Sequence, residues 1–112
     1  MEGIDPPAQP PVINEPSAEA CPDPAVDVLD GLEAAMGDPS SSPEALRRTA
    51  LACWNRGQEL ADQDRAYAAW LVGLTTVTME GCTPSAVQWL DRAVRLAPGS
   101  QAYRVAREGC GG

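Results

Sequence analysis

From residue 28 onward apolar side chains recur at intervals of three and four, and no stretch alternates with period two over the length of a strand. The pattern predicts an all-α fold. Val28, Leu29, Leu32 and Met36 mark a first helix over about 24–36, with Asp23 as N-cap, Pro24 at the first helical position and Gly37 closing it in a left-handed conformation. Ser42-Pro43-Glu44 repeats the start signal, and Leu46, Ala50, Cys53 and Trp54 share one face of a second helix over about 43–57, ending near Gly57. A third helix over about 63–80 begins near Asp62 or Asp64. It carries a wide stripe of Tyr67, Trp70, Leu71, Leu74, Val77 and Thr78 and stops at Gly81. Thr83-Pro84 restarts the chain for a fourth over about 84–97, with Val87, Leu90, Val94 and Ala97 beside Ala86, Trp89 and Ala93, closed by Pro98-Gly99. Ser100 caps a short fifth over about 101–108, bearing Ala102, Val105 and Ala106. These segments predict a small helical-hairpin bundle.

The stretch before residue 23 has a different character. Pro6-Pro7, Pro10-Pro11, Pro16 and Pro22 stand among Glu, Ala and Gln, with Val12-Ile13 as the one adjacent pair of large apolar residues. Proline continues neither a helix nor a ladder, and so little apolar surface does not offset the entropy of ordering. The expectation is an extended, polyproline-like acidic arm over 1–22 and a helical domain over 23–112. Val12 and Ile13 are the arm's candidate contact with a partner or with its own domain.

Within the helical part, Trp70 to Pro98 resembles a tetratricopeptide repeat, a helical hairpin of about 34 residues in which small and large positions interlock. Trp70 matches the first aromatic and Gly81 the turn. Ala86 and Ala93 match the small positions of close helix approach, Leu90 the large position between them, and Pro98 the closing residue. The pattern departs at Gly73-Leu74, where the family has Leu-Gly, at Val77 in place of Tyr, and at Thr83 in place of an aromatic. Val77–Cys82 and Val105–Cys110 share Val-x-x-Glu-Gly-Cys at an offset of 28, which is not the family's period. The resemblance implies a protein-binding hairpin that buries its faces by stacking, and about three units are normally needed for independent stability. With one good unit, further covering surface is expected from the helix over about 43–57, from self-association or from another protein.

Charge narrows the functions. The 16 acids outnumber the 8 bases, all of them Arg, for a net charge of −8; residues 1–40 hold nine acids and no base. A polyanion-binding role is disfavoured, so neither nucleic acid nor anionic membrane is an expected partner. The chain has no His, which removes Ser-His-Asp and Cys-His nucleophile systems and imidazole metal ligands. No carboxylate pair is set on one rigid face by spacing, Ser and Thr lack a Lys partner, and no glycine-rich phosphate loop is present. Gly111-Gly112 echoes the tails of ubiquitin-like carriers, but those are β-rich. No enzyme activity, cofactor or small-molecule substrate is expected. No apolar run reaches the ~18 residues of a membrane span, and Met-Glu-Gly-Ile-Asp lacks the features of a secretory signal, so a soluble protein is expected, in the cytoplasm or in an assembled particle.

Cys21, Cys53, Cys82 and Cys110 are separated by 32, 29 and 28 residues. Without a close Cys pair a zinc site is disfavoured. The favoured reading is unlinked cysteines, Cys53 in the core and Cys110 at the surface; the alternative is two disulfides, with three connectivities open. Trp54 and Trp70 are expected in the core and Trp89 as an exposed anchor. Arg92 and Arg95, with Arg104 and Arg107, are candidate partners for carboxylates, including those of the acidic first 40 residues. These features point to a non-enzymatic interaction module, an adaptor that binds a protein or itself. The alternatives are a structural subunit of a phage, capsid or similar assembly laced by its arm, and an acidic inhibitor that mimics nucleic acid.

Overall fold

The computed structural model describes residues 20–111. Five α-helices, α1 (Ala25–Met36), α2 (Pro43–Trp54), α3 (Asp62–Glu80), α4 (Pro84–Leu96) and α5 (Gln101–Gly109), are joined by short turns, with one 3-10 turn at Gly57–Glu59. The described residues contain no strand.

Local chemistry sets most of the helix ends. The hydroxyls of Ser42, Thr83 and Ser100 accept from the backbone N–H groups of Ala45 (3.3 Å), Ala86 (3.2 Å) and Tyr103 (3.3 Å), satisfying donors that the first turn leaves open. Gly81 closes α3 at φ 86°, a conformation that costs a residue with a Cβ. Three expected ends differ. Pro24, not Asp23, occupies the N-cap of α1, with no side-chain cap. Asp23 instead accepts from Arg56 Nη1 at 2.7 Å, and that guanidinium holds its carboxyl below the ordinary carboxylate range. Gly37 is right-handed, at φ −82°. Helix α2 stops at Trp54, because Gly57 turns to φ 61° and starts the 3-10 turn, which Arg56 ties down through Glu59 (3.1 Å) and the Cys21 carbonyl (2.9 Å).

Helix α3 is the centre of the bundle. It packs against α4 on one side and α2 on the other, with α1 also against it, and α5 rests on α4. Of the expected single stripe on α3, Leu71 alone is fully buried. Ala66, Ala68, Ala69, Leu71, Val72, Gly73, Thr75 and Thr76 are buried, while Tyr67, Trp70, Leu74 and Val77 are half-buried and Thr78 is exposed. Small residues around most of the circumference let neighbours approach from several directions. At Gly73 an added Cβ would lie 2.5 Å from Leu90 Cδ2, so α3 and α4 meet almost backbone to side chain. The two buried threonines satisfy their hydroxyls on their own helix, Thr75 on the Leu71 carbonyl (2.8 Å) and Thr76 on that of Val72 (2.7 Å).

Apolar contacts beyond the α3–α4 hairpin come from the front of the chain. Cys21, Ala25, Leu29, Leu32, Ala50, Cys53 and Leu60 form one cluster with Ala68, Leu71 and Val72 of α3. Covalent links reinforce it. Cys21 is bonded to Cys53 and Cys82 to Cys110, in place of the unlinked thiols favoured from spacing. The first link bolts the residues before α1 to the end of α2, and Cys21, inside the expected arm, is buried in the folded body. The second bolts the α3–α4 turn to the end of α5. Antiparallel packing brings these ends together although 32 and 28 residues separate them.

Helix α1 is also held through Tyr67, whose hydroxyl donates its proton between Asp30 (2.7 Å) and Glu33 (2.5 Å). Burial, then Glu33 and Asp30, raise its pKa well above the ordinary 10.0. The folded state thus holds this proton more tightly than the unfolded chain, so the stabilisation is complete below pH ~10 and is lost as the pH rises beyond it. Tyr103 is shifted the same way, by burial first and then by Glu33 and Asp64. Urea midpoints should fall between pH ~9 and ~11, and Tyr67→Phe should flatten that fall without abolishing it. An unchanged slope in the variant would show that the Tyr67 proton is not linked to folding.

Candidate functional site

Trp54, at the last turn of α2, and Trp89, on α4, stand edge to face with ring centroids 5.3 Å apart and planes at 86°. Two guanidinium groups lie over the pair. Arg92 lies 4.3 Å from the Trp89 centroid and 5.8 Å from that of Trp54; Arg65, from the first turn of α3, lies 5.0 Å from Trp54. Trp54, Arg65, Arg92, Arg95 and Leu96 line an open depression of about 210 Å³. Gln88, Asp91, Arg92 and Arg95, one face of α4 at helical spacing, line a second of about 350 Å³.

Electrostatics make this face unlike the rest of an acidic chain. Arg65 has one carboxylate, Asp62, at 3.6 Å, and its Nε is buried without a hydrogen-bond partner. Asp91 is engaged by Arg107 Nε at 2.6 Å. Arg92 and Arg95 have no ion-pair partner among the described residues. The result is a positively charged surface on two indole rings, able to take carboxylates by paired hydrogen bonds and flat or ring-like groups by stacking.

Of the residues singled out from sequence, Trp89, Arg92 and Arg95 come together here. Trp89 is half-buried against Trp54 and not a free-standing anchor. Arg104 and Arg107 do not join them: Arg107 pairs with Asp91 and holds α5 on α4, and Arg104, an exposed cation, donates from Nη1 to the Pro98 carbonyl of the α4–α5 turn at 2.6 Å. Val12 and Ile13 lie outside the described residues. Sequence reasoning missed Trp54 and Arg65. Trp54, expected in the core, does pack against it but is only half-buried, with Arg65 and Arg92 over its ring. Arg65 carried no signal, because only the return of α3 past the end of α2 brings it to that ring. Trp70 sits in a separate aromatic group between Tyr67 (6.1 Å) and Tyr103 (5.2 Å).

Among the described residues no three Cys, Asp or Glu side chains converge in the manner of a metal site, and no helix is long and apolar enough to cross a membrane. No family model, curated protein or solved structure matches the chain. The described residues form a bundle of five helices compatible with a helical-repeat-like arrangement.

Proposed function

We propose that this protein is a non-enzymatic protein-binding module, a short tetratricopeptide-like bundle that docks an acidic partner on the Trp54–Trp89–Arg92–Arg95 face. The observation that carries the reading is the unneutralised pair Arg92 and Arg95 beside two half-buried indoles in a chain of net charge −8. Trp and Arg are the residues most often responsible for binding energy at protein interfaces. The hairpin geometry supports a repeat-like origin: Ala86 and Ala93 are fully buried where the helices approach, and Leu90 fills the space left by Gly73. Two disulfides fit an oxidising compartment or a secreted setting better than the cytoplasm expected from the first residues.

The test is affinity capture from an extract of the producing organism with three full-length baits: the natural chain, Arg92→Glu/Arg95→Glu, and Val105→Asp on the exposed side of α5. A protein retained by the first and third but reduced about tenfold or more on the second supports the reading. Equal retention on all three, or none on any, overturns it.

A further inference from the structure

The ligand chemistry of the Arg–Trp face can be taken further, on the reading that this face is the docking site. The described residues supply no ion-pair partner for Arg92 and Arg95, yet the chain holds an acidic segment directly before Cys21. Residues 1–19 contain Glu2, Asp5, Glu15 and Glu19, no base, and five prolines at 6, 7, 10, 11 and 16. Each feature has its complement on the face. Carboxylates suit guanidinium groups that lack an ion pair, and the flat, pre-extended surface of a proline-rich strand suits paired indoles, the arrangement by which aromatic-lined grooves recognise polyproline.

The point of entry agrees. Cys21 is bonded to Cys53, the residue before Trp54, with Cα atoms 4.9 Å apart, and Arg56 grips the Cys21 carbonyl at 2.9 Å. The described chain therefore begins at the end of α2 that presents Trp54. Nineteen residues at ~3.1 Å each reach almost 60 Å, whereas the 13 residues of α4 span ~20 Å. Reach is ample. Of the other arginines, Arg47 meets Glu80, Arg48 Glu44, Arg56 Asp23 and Glu59, Arg65 Asp62 and Arg107 Asp91, while Arg104, away from the indole pair on α5, bonds the Pro98 carbonyl.

We propose that the Trp54–Trp89–Arg92–Arg95 face binds an acidic, proline-rich extended peptide, and that residues 1–19 of the same chain are such a ligand, carried in cis. An outside partner of the same chemistry then has to displace this segment, so the segment sets a threshold for docking.

The experiment uses the full chain and follows the three indole N–H signals by ¹⁵N NMR. Glu2→Gln, Asp5→Asn, Glu15→Gln and Glu19→Gln are combined in one variant, which leaves every described residue unchanged. The signals of Trp54 and Trp89 should move relative to the natural chain while that of Trp70 stays. A synthetic peptide of residues 1–19, added to the variant, should return them saturably toward their natural positions. Adding Arg92→Glu/Arg95→Glu to the variant, or ~0.5 M sodium chloride, should weaken the peptide at least about tenfold. Coincident Trp54 and Trp89 signals in the natural and neutralised chains overturn the proposal. So does light scattering that shows two chains for the natural protein and one for the variant, which assigns the face to a second copy. If the segment binds but Arg92→Glu/Arg95→Glu leaves the captured partner unaffected, the proposed function fails instead. If capture depends on the arginines but the indole signals coincide, only the present inference fails.

Discussion

Replacing Cys21 and Cys53 together by alanine is expected to lower the unfolding free energy by about 3–4 kcal/mol, the denatured-state entropy released by opening a loop closed across a separation of 32 residues. Against a total of roughly 5–15 kcal/mol for a small domain, that loss moves the urea midpoint by a large fraction of its value. Packing adds to it, because Cys53 is fully buried and Cys21 is 8% exposed, so the lost sulfurs leave space in the main apolar cluster. Cys82→Ala/Cys110→Ala removes a loop of similar length but should behave differently. Helix α5 has no buried residue and rests mainly on α4, held there by Arg107–Asp91, with Tyr103 reaching Trp70 of α3. Opening that link should chiefly raise hydrogen exchange in α5, with a smaller shift of the global midpoint. The intact mass without reductant should lie ~4 Da below that of the reduced chain, with no thiol open to alkylation. A midpoint that ignores reductant, or thiols that titrate in the folded protein, would remove both bonds from the account.

The features that were legible in the sequence are those decided within four residues. Ser42, Thr83 and Ser100 cap as expected, since a hydroxyl needs only the N–H three residues on, and Gly81 turns where only its own backbone is at issue. Asp23 shows where this reasoning ends. It has the composition of a cap, but Arg56, 33 residues away in sequence, offers a charge-assisted bond at 2.7 Å that outweighs a neutral N–H. Helix α3 failed for a related reason. A stripe argument assumes one buried side, whereas α3 is covered by α2 and α4 together, so alanine, glycine and threonine are buried beside Leu71 and Val72, and Tyr67, Trp70, Leu74 and Val77 sit at the edges.

The candidate site was half legible. Spacing placed Trp89, Arg92 and Arg95 on neighbouring positions of α4, which is a local property. It also grouped Arg104 with Arg107, but not what lies opposite them: Asp91 neutralises Arg107, while Arg104 bonds the uncharged Pro98 carbonyl. Trp54 and Arg65 required the relative placement of three helices. The cysteines are the clearest instance. Separations of 32, 29 and 28 residues say nothing about which ends meet, and the pairing follows from antiparallel packing, with Val-x-x-Glu-Gly-Cys ending in the two partners Cys82 and Cys110.

The second large effect is expected where α3 and α4 touch. Leu90 is 1% exposed and its Cδ2 and Cγ stand 2.5 and 2.8 Å from where a Gly73 Cβ would be. Leu90→Ala should cost about 2–5 kcal/mol, the transfer energy of the lost carbons plus the cavity they leave. Gly73→Ala would gain about 1 kcal/mol of helix propensity, but the new methyl overlaps a side chain with no free space to swing into, and overpacking of this kind costs about 1–3 kcal/mol. A net loss is expected for the single substitution. Combined, the two changes should offset one another, since the methyl introduced by Gly73→Ala enters the volume that Leu90 vacates. The double variant should therefore be more stable than the sum of the singles predicts, by a coupling of about 0.5–3 kcal/mol in denaturant titration. Additivity to within about 0.5 kcal/mol would mean that the two residues do not meet, and that the hairpin register aligning Trp89, Arg92 and Arg95 with Trp54 is wrong.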